Sequence, residues 1–429
     1  MLPLLLMHAT TDFAVRAAVS EGYNTNVAVL ANGNVNQKNP ALFTGFETNC
    51  QVKGRNKWND DWVLELGGRT RLYVPLADYE PQHDGAAFIR GGGSWTLSPR
   101  SSFSLIGSST VLTLNAAPAG NPLFRGNPFQ SRSVQTFASL AGALNYDFAK
   151  TWGLSITGGS LTTFTLDDPT IFLLPDGTTS SRRGLDSLQP FGQFMLSHSL
   201  NDRHGLNALL RYDYSFSPSA IDYSTTPPRN LGVFDSHAAT LAIGHIYQHP
   251  RNGVVASSRI GGTVATAPPL DTDQRLIISP YATETVAYGK DDLVVRATAT
   301  YSYGTPFPRT GSGPGIFGSF EFMRLQSVHG FWKKWSYLAG VDTGYSEATL
   351  VGGLTSKIAL FAGSTEVRRL LVNGLSLSVG YSYRRTWSSG SSTVPEIDQH
   401  LVYAGFAYLF ATDQRTPALA TLEGAPIGR

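Results

Sequence analysis

Residues 403–410 read YAGFAYLF, and they close the last patterned stretch of the chain before a polar segment, ATDQRTPALATLEGAPIGR, at 411–429. From Val402 onward every second side chain is apolar: Val402, Ala404, Phe406, Tyr408 and Phe410 share one parity, and Tyr403 and Gly405 fall on the other. A repeat of two sends successive side chains to opposite faces of a strand. The strand therefore divides two unlike media, and its apolar face ends in large aromatic rings.

The same period recurs upstream. In DWVLELGGRTRLYV, residues 61–74, Leu64, Leu66, Gly68, Thr70, Leu72 and Val74 fall on one face, and Glu65, Gly67, Arg69, Arg71 and Tyr73 on the other. Segments near 11–21, 40–52, 61–75, 86–97, 101–115, 136–149, 152–166, 188–200, 204–217, 235–248, 253–266, 275–289, 292–304, 316–330, 335–347, 357–371, 375–387 and 398–410 all read as strands. That makes eighteen, an even number.

The connections alternate in length. GRNKWND, SPRS, AKT, NDR, PRNG, KDD, WKK and VNG are short and rich in turn formers. Between them come long ones, such as YNTNVAVLANGNVNQK, the Pro/Gly/Asn run Ala116–Gln135 and the stretch Asp167–Ser187; the last two are the loops expected to fold inward. Short turns at one rim and long loops at the other are the mark of a transmembrane barrel. Trp58, Trp62, Trp95, Trp152, Trp332 and Trp335 all sit beside short turns, and only Trp387 lies at a long-loop end. Indole prefers the headgroup region, so these six read as an interface girdle.

Composition agrees. Charged residues make up 15% of the 429 residues, against roughly 25% in a soluble domain. Of 33 basic residues 25 are Arg and eight are Lys. No run approaches the roughly 18 apolar residues of a spanning helix. A net charge of +2 gives no electrostatic footprint for nucleic acid. Cys50 is the single cysteine, so no internal disulfide forms. The apolar patch Leu2–Met7 followed by His8-Ala9 reads as the tail of a signal peptide, which divides the chain into a remnant at 1–9, a barrel at 10–410 and a periplasmic tail at 411–429.

With these features the chain resembles bacterial outer-membrane β-barrel proteins over nearly its whole length. That family's assembly signal places a polar or aromatic residue, then Gly two later, then alternating aromatics to the strand's end; Tyr403, Gly405, Tyr408 and Phe410 occupy those places. Members commonly stop at the final aromatic, whereas this chain continues to Arg429. The resemblance implies an all-β, up-and-down antiparallel barrel of about 18 strands, set in outer-membrane lipid and inserted by the barrel-assembly machinery. More narrowly, strand count and arginine content resemble the exopolysaccharide-secretion porins, such as alginate exporters and the porins of polymerase-type pathways. That implies an anionic or neutral polysaccharide as cargo and a periplasmic export partner.

Parity sorts the charges. Arg16, Glu47, Glu65, Arg69, Arg71, Arg90, Arg211, Asp213, Arg259, Arg296, Asp342 and Arg384 fall on the less apolar faces, eight arginines against four carboxylates. Arg at the lipid face costs about 2–4 kcal/mol at the midplane, so these twelve are expected to line the lumen. There the arginines either form an anion-attracting ladder or pair with the acids across neighbouring strands.

Other chemistry finds little support. His245 and His249, four apart on one strand, lie about 13 Å apart at a rise of about 3.3 Å, too far to share a metal. Ser197 and Ser199 flank His198 but point to the opposite face, so no catalytic dyad forms. Gly91-Gly92-Gly93 lacks the following helix and lysine of a phosphate loop and reads as a close approach in a curved wall. The expected function is a channel without enzyme activity, cofactor or metal. Polysaccharide export leads, followed by a general or anion-selective diffusion porin and then by an adhesin-like barrel with binding loops.

Overall fold

The computed structural model describes residues 10–25, 40–55, 61–76, 82–113, 134–165, 170–173, 179–182, 187–222, 229–249, 253–266, 276–290, 293–303, 314–324, 334–349, 355–372, 374–390 and 397–411. Residues 1–9, expected to be a signal-peptide remnant, residues 412–429, Trp58, Trp332 and residues 116–133 of the Ala116–Gln135 run lie outside them.

Twenty strands follow one another: β1 (Thr10–Asn24), β2 (Ala41–Arg55), β3 (Asp61–Pro75), β4 (Gln82–Ser98), β5 (Ser101–Thr113), β6 (Val134–Ala149), β7 (Trp152–Thr165), β8 (Thr170–Leu173), β9 (Thr179–Arg182), β10 (Ser187–Ser199), β11 (His204–Asp222), β12 (Arg229–Gln248), β13 (Val254–Thr266), β14 (Leu276–Lys290), β15 (Leu293–Tyr303), β16 (Pro314–Arg324), β17 (Trp335–Thr349), β18 (Thr355–Val372), β19 (Leu375–Gly390) and β20 (Ile397–Ala411). Eighteen form one antiparallel sheet on the segments that the two-residue repeat marked. The other two, β8 and β9, make a small hairpin within the long stretch 167–187, where no strand was expected. β16 is described as far as Arg324, and residues 325–330 of its apolar pattern lie outside the described residues.

The sheet closes on itself. β1 pairs with β2 on one side and with β20 on the other, from Ala14↔Ala411 to Asn24↔Leu401. Closure leaves no open edge, so every strand satisfies its backbone groups within the wall, the condition for β-structure in hydrocarbon. Irregular register is confined to strand ends, at Thr96/Ser98, Tyr146/Ala149, Ser217/Ala220 and Leu370/Val372. No bulge interrupts the body of a described strand, so the parity of each holds across it.

Side chains therefore divide by parity, with Ile106 as an apolar group on the inward face. The outward set carries bulky apolar groups in the open: Ile260 is 66% exposed, Ile278 77% and Phe406 56%. An apolar surface of that extent belongs in lipid. Closed single-chain barrels with such a band are the outer-membrane form of membrane protein. Trp62, Trp95, Trp152 and Trp335 face outward at the short-turn rim, and Trp387 outward at the other. Both barrel termini, Thr10 and Ala411, lie at the short-turn rim. Two of those turns need left-handed glycine: Gly253 has φ 67° and Gly374 φ 78°, and each carbonyl accepts a backbone hydrogen bond, from Gly289 and Leu409 at 2.9 and 2.8 Å.

The opening octet sits at the seam. Val402, Ala404, Phe406, Tyr408 and Phe410 face lipid, whereas Tyr403 and Gly405 face inward. The Tyr403 ring lies over Gly380 of β19, filling the space a Cβ would take, and its hydroxyl donates to Glu366 of β18 at 2.9 Å. One side chain thus ties three strands together.

Candidate functional site: the inward wall

All twelve ionisable residues singled out by parity occupy inward register positions. So do Asp84, Glu321, Glu366 and Arg368. By the same register Asp12, Lys53, Asp61 and Asp147 also lie inward, so among the described side chains ten basic groups face ten carboxylates and the inward wall carries no net excess of positive charge.

Most of these groups are knitted together. On β1–β4, Arg16 pairs with Glu47. Glu65, 2% exposed, accepts from Asn49 at 2.8 Å and from Arg90 Nε at 2.6 Å. Asp84, fully buried, accepts from the Tyr73 hydroxyl at 2.7 Å, with Arg69 and Arg71 on the same wall. Arg71 lies over the Phe43 ring at 5.1 Å. On β11, Arg211 forks onto Asp213 two residues along its own strand, Nε at 2.8 Å and Nη2 at 2.6 Å, and stacks 4.9 Å from Phe191. Arg296 is 4.0 Å from Glu321, and Glu366 accepts from Arg368 at 2.7 Å. Cross-strand pairing of this kind stiffens a wall and neutralises it.

Two arginines stand apart. Arg259 hydrogen-bonds neutral partners, Asn207 Oδ1 at 3.1 Å and the Met195 sulfur at 3.6 Å. Arg384 is 8% exposed, and its Nη2 has no hydrogen-bond partner among the described residues. Arg259 is half-buried and reaches the bore; Arg16, Arg69 and Arg384 are buried within the wall lining. Inward side chains toward the long-loop ends are also packed away, with Phe43, Tyr73 and Thr163 at 2–3% exposure. Asn145 and Asp147, near the short-turn rim, are exposed.

Some features escaped the parity argument. His204 Nδ1 and His245 Nε2 lie 3.0 Å apart on the outward face, a cross-strand pair that spacing along one strand does not reveal. His198 stacks outward on Trp152 with centroids 4.2 Å apart, while Ser197 turns inward and donates to the Gly153 carbonyl. Glu284 is outward and exposed, between Ser258 and Ala299 by register; no contact among the described residues explains a carboxylate there. Among the described residues no group of three or more potential ligands gathers to hold a metal.

No family model matches the sequence. No curated protein matches it either. Solved structures of similar shape exist. Pseudomonas aeruginosa OccK7 (OpdD) is 10% identical with a TM-score of 0.43, over 95% of this chain and 100% of that one. The outer membrane protein OpdK of the same organism is 13% identical with a TM-score of 0.37, over 93% and 99%. P. aeruginosa OccK8 (OprE) is 10% identical with a TM-score of 0.37, over 94% and 98%. At that distance the likeness says nothing of what this chain carries.

Proposed function

We propose that the chain is a passive diffusion porin of a bacterial outer membrane that admits small solutes and prefers anions. A barrel of 16–18 strands is wide enough to leave an aqueous passage, and an ionised inner wall keeps that passage wet. The observation that carries the anion preference is Arg259, a half-buried guanidinium on the bore whose partners are an amide and a thioether. Arg384 adds a second positive charge, buried in the wall, with no carboxylate partner among the described residues. Fixed charge lining a pore sets the sign of the ion it admits.

A conduit for a secreted polysaccharide has less behind it. That reading drew on strand count and on the arginine excess, and Arg16, Arg90, Arg211 and Arg296 each have a carboxylate partner.

The test is conductance of the purified protein in planar bilayers under a tenfold KCl gradient. The expected reversal potential lies on the chloride side, and Arg259→Gln moves it toward zero. A cation-selective wild type overturns the anion preference, and a protein without conductance overturns the channel. Concentration-dependent block by alginate would return polymer export to the front.

A further inference from the structure

One arc of the bore differs chemically from the rest. The inward positions of β5, β6, β7 and β10 carry no ionisable side chain apart from Asp147, two residues from the periplasmic end of β6. Apart from Asp147 their polar groups are neutral, and Ser104, Ser108, Ser139, Ser155, Thr157 and Gln193 among them are half-buried, with Ile106 as an exposed apolar neighbour. Hydroxyls and amides both donate and accept, so this arc matches solute hydroxyls in either sense.

Arg259 sits at the border of that arc. Its side chain arches across β12 over Gly244, where an added Cβ would lie 2.6 Å from Arg259 Cγ. It reaches Asn207 of β11 and Met195 of β10. Ser155 lies opposite Met195 on β7, and Gln193 and Ser197 flank it on its own strand. Asn207 is 4% exposed, and its Nδ2 has no acceptor among the described residues. A buried donor left unmet is costly. An acid-free guanidinium and an unmet buried amide donor thus lie side by side at the edge of a hydroxyl-lined wall. Arg211, one row nearer the long loops, is already held by Asp213.

We propose that this border is a subsite for small polyhydroxylated acids, of the sugar-acid kind. The carboxylate docks on the Arg259 fork, and the hydroxyls lie along Ser155, Gln193 and their neighbours. A forked guanidinium matches carboxylate geometry. An alkyl acid of the same length leaves the wall hydroxyls unmatched, and an uncharged polyol lacks the anchor. Sites built from polar partners discriminate strongly against solutes that lack the matching group. The proposal rests on the channel reading above and names the solute class of that channel.

The experiment measures block of single-channel chloride current by gluconate, hexanoate and sorbitol, each titrated in the bath. Gluconate is expected to reach half-block at a concentration at least threefold below either of the others. Arg259→Gln removes that advantage, and the double variant Ser155→Ala/Gln193→Ala removes it while leaving hexanoate block unchanged. Equal block by gluconate and hexanoate in an anion-selective wild type overturns the subsite and leaves the porin standing. An advantage that survives Arg259→Gln, in protein that keeps its folded migration on unheated gels, also overturns it. A wild type without anion preference or without conductance overturns both readings.

Discussion

Substituting Gly380 by Ala tests how the closing strand is held. An added methyl would fall within the Tyr403 ring, in contact with Cζ, Cε1 and Oη. Overpacking of this sort costs about 1–3 kcal/mol when neighbours must shift. The ring cannot move without stretching the bond from its hydroxyl to Glu366, which is 2.9 Å long and ends on a carboxylate 6% exposed. A hydrogen bond to a charged group contributes about 1.5–3 kcal/mol, so Gly380→Ala combines both losses, about 2.5–6 kcal/mol in total. In a Tyr403→Ala background the methyl meets no ring, and the same substitution should cost less than about 1 kcal/mol. Equilibrium guanidinium unfolding in phospholipid bilayers, on the four proteins of the double-mutant cycle, gives the coupling energy. Additivity within about 0.5 kcal/mol would refute the argument, because it would mean that Tyr403 does not occupy the space above Gly380.

Three further outcomes follow from the division of faces. Ile260→Arg, outward at the middle of β13 and 66% exposed, should destabilise the barrel by about 2–4 kcal/mol in the same unfolding assay, whereas Thr285→Arg, inward on β14, should cost under about 1 kcal/mol. Arg90→Ala strips the buried Glu65 carboxylate of its charged partner and leaves it the amides of Asn49 and Gln51. With Arg90 about a third exposed, the loss should be about 1–3 kcal/mol rather than that of a dry pair, and it should lessen on adding Glu65→Gln. Gly244→Ala should push the Arg259 side chain off its path and lower the chloride preference of the reversal potential without altering unitary conductance by more than about twofold.

The octet YAGFAYLF shows what a sequence makes legible. Its parity was enough to place Phe406 and Phe410 in lipid and Tyr403 inside, because a strand alternates its side chains whatever its partners are. The same argument placed Arg16, Glu65 and Arg259 inward, whereas Glu321 and Glu366 are placed inward only by the strand register, whose shifts lie at strand ends. It did not place Glu284 outward on a chemical ground, and it did not foresee the β8–β9 hairpin, whose four-residue strands carry too few residues for a pattern.

What the sequence by itself determined is the pair of faces and hence the two solvents, since periodicity is local and travels with the chain. What only the tertiary structure decided is which charges remain uncompensated. Arg16 finds Glu47 31 residues away, and Arg259 finds Asn207 and Met195 at 52 and 64 residues. Partners so distant are chosen by strand register across a closed sheet. Parity alone made Arg16 and Arg259 equivalent; register gave one a carboxylate and left the other facing the hydroxyl-lined arc.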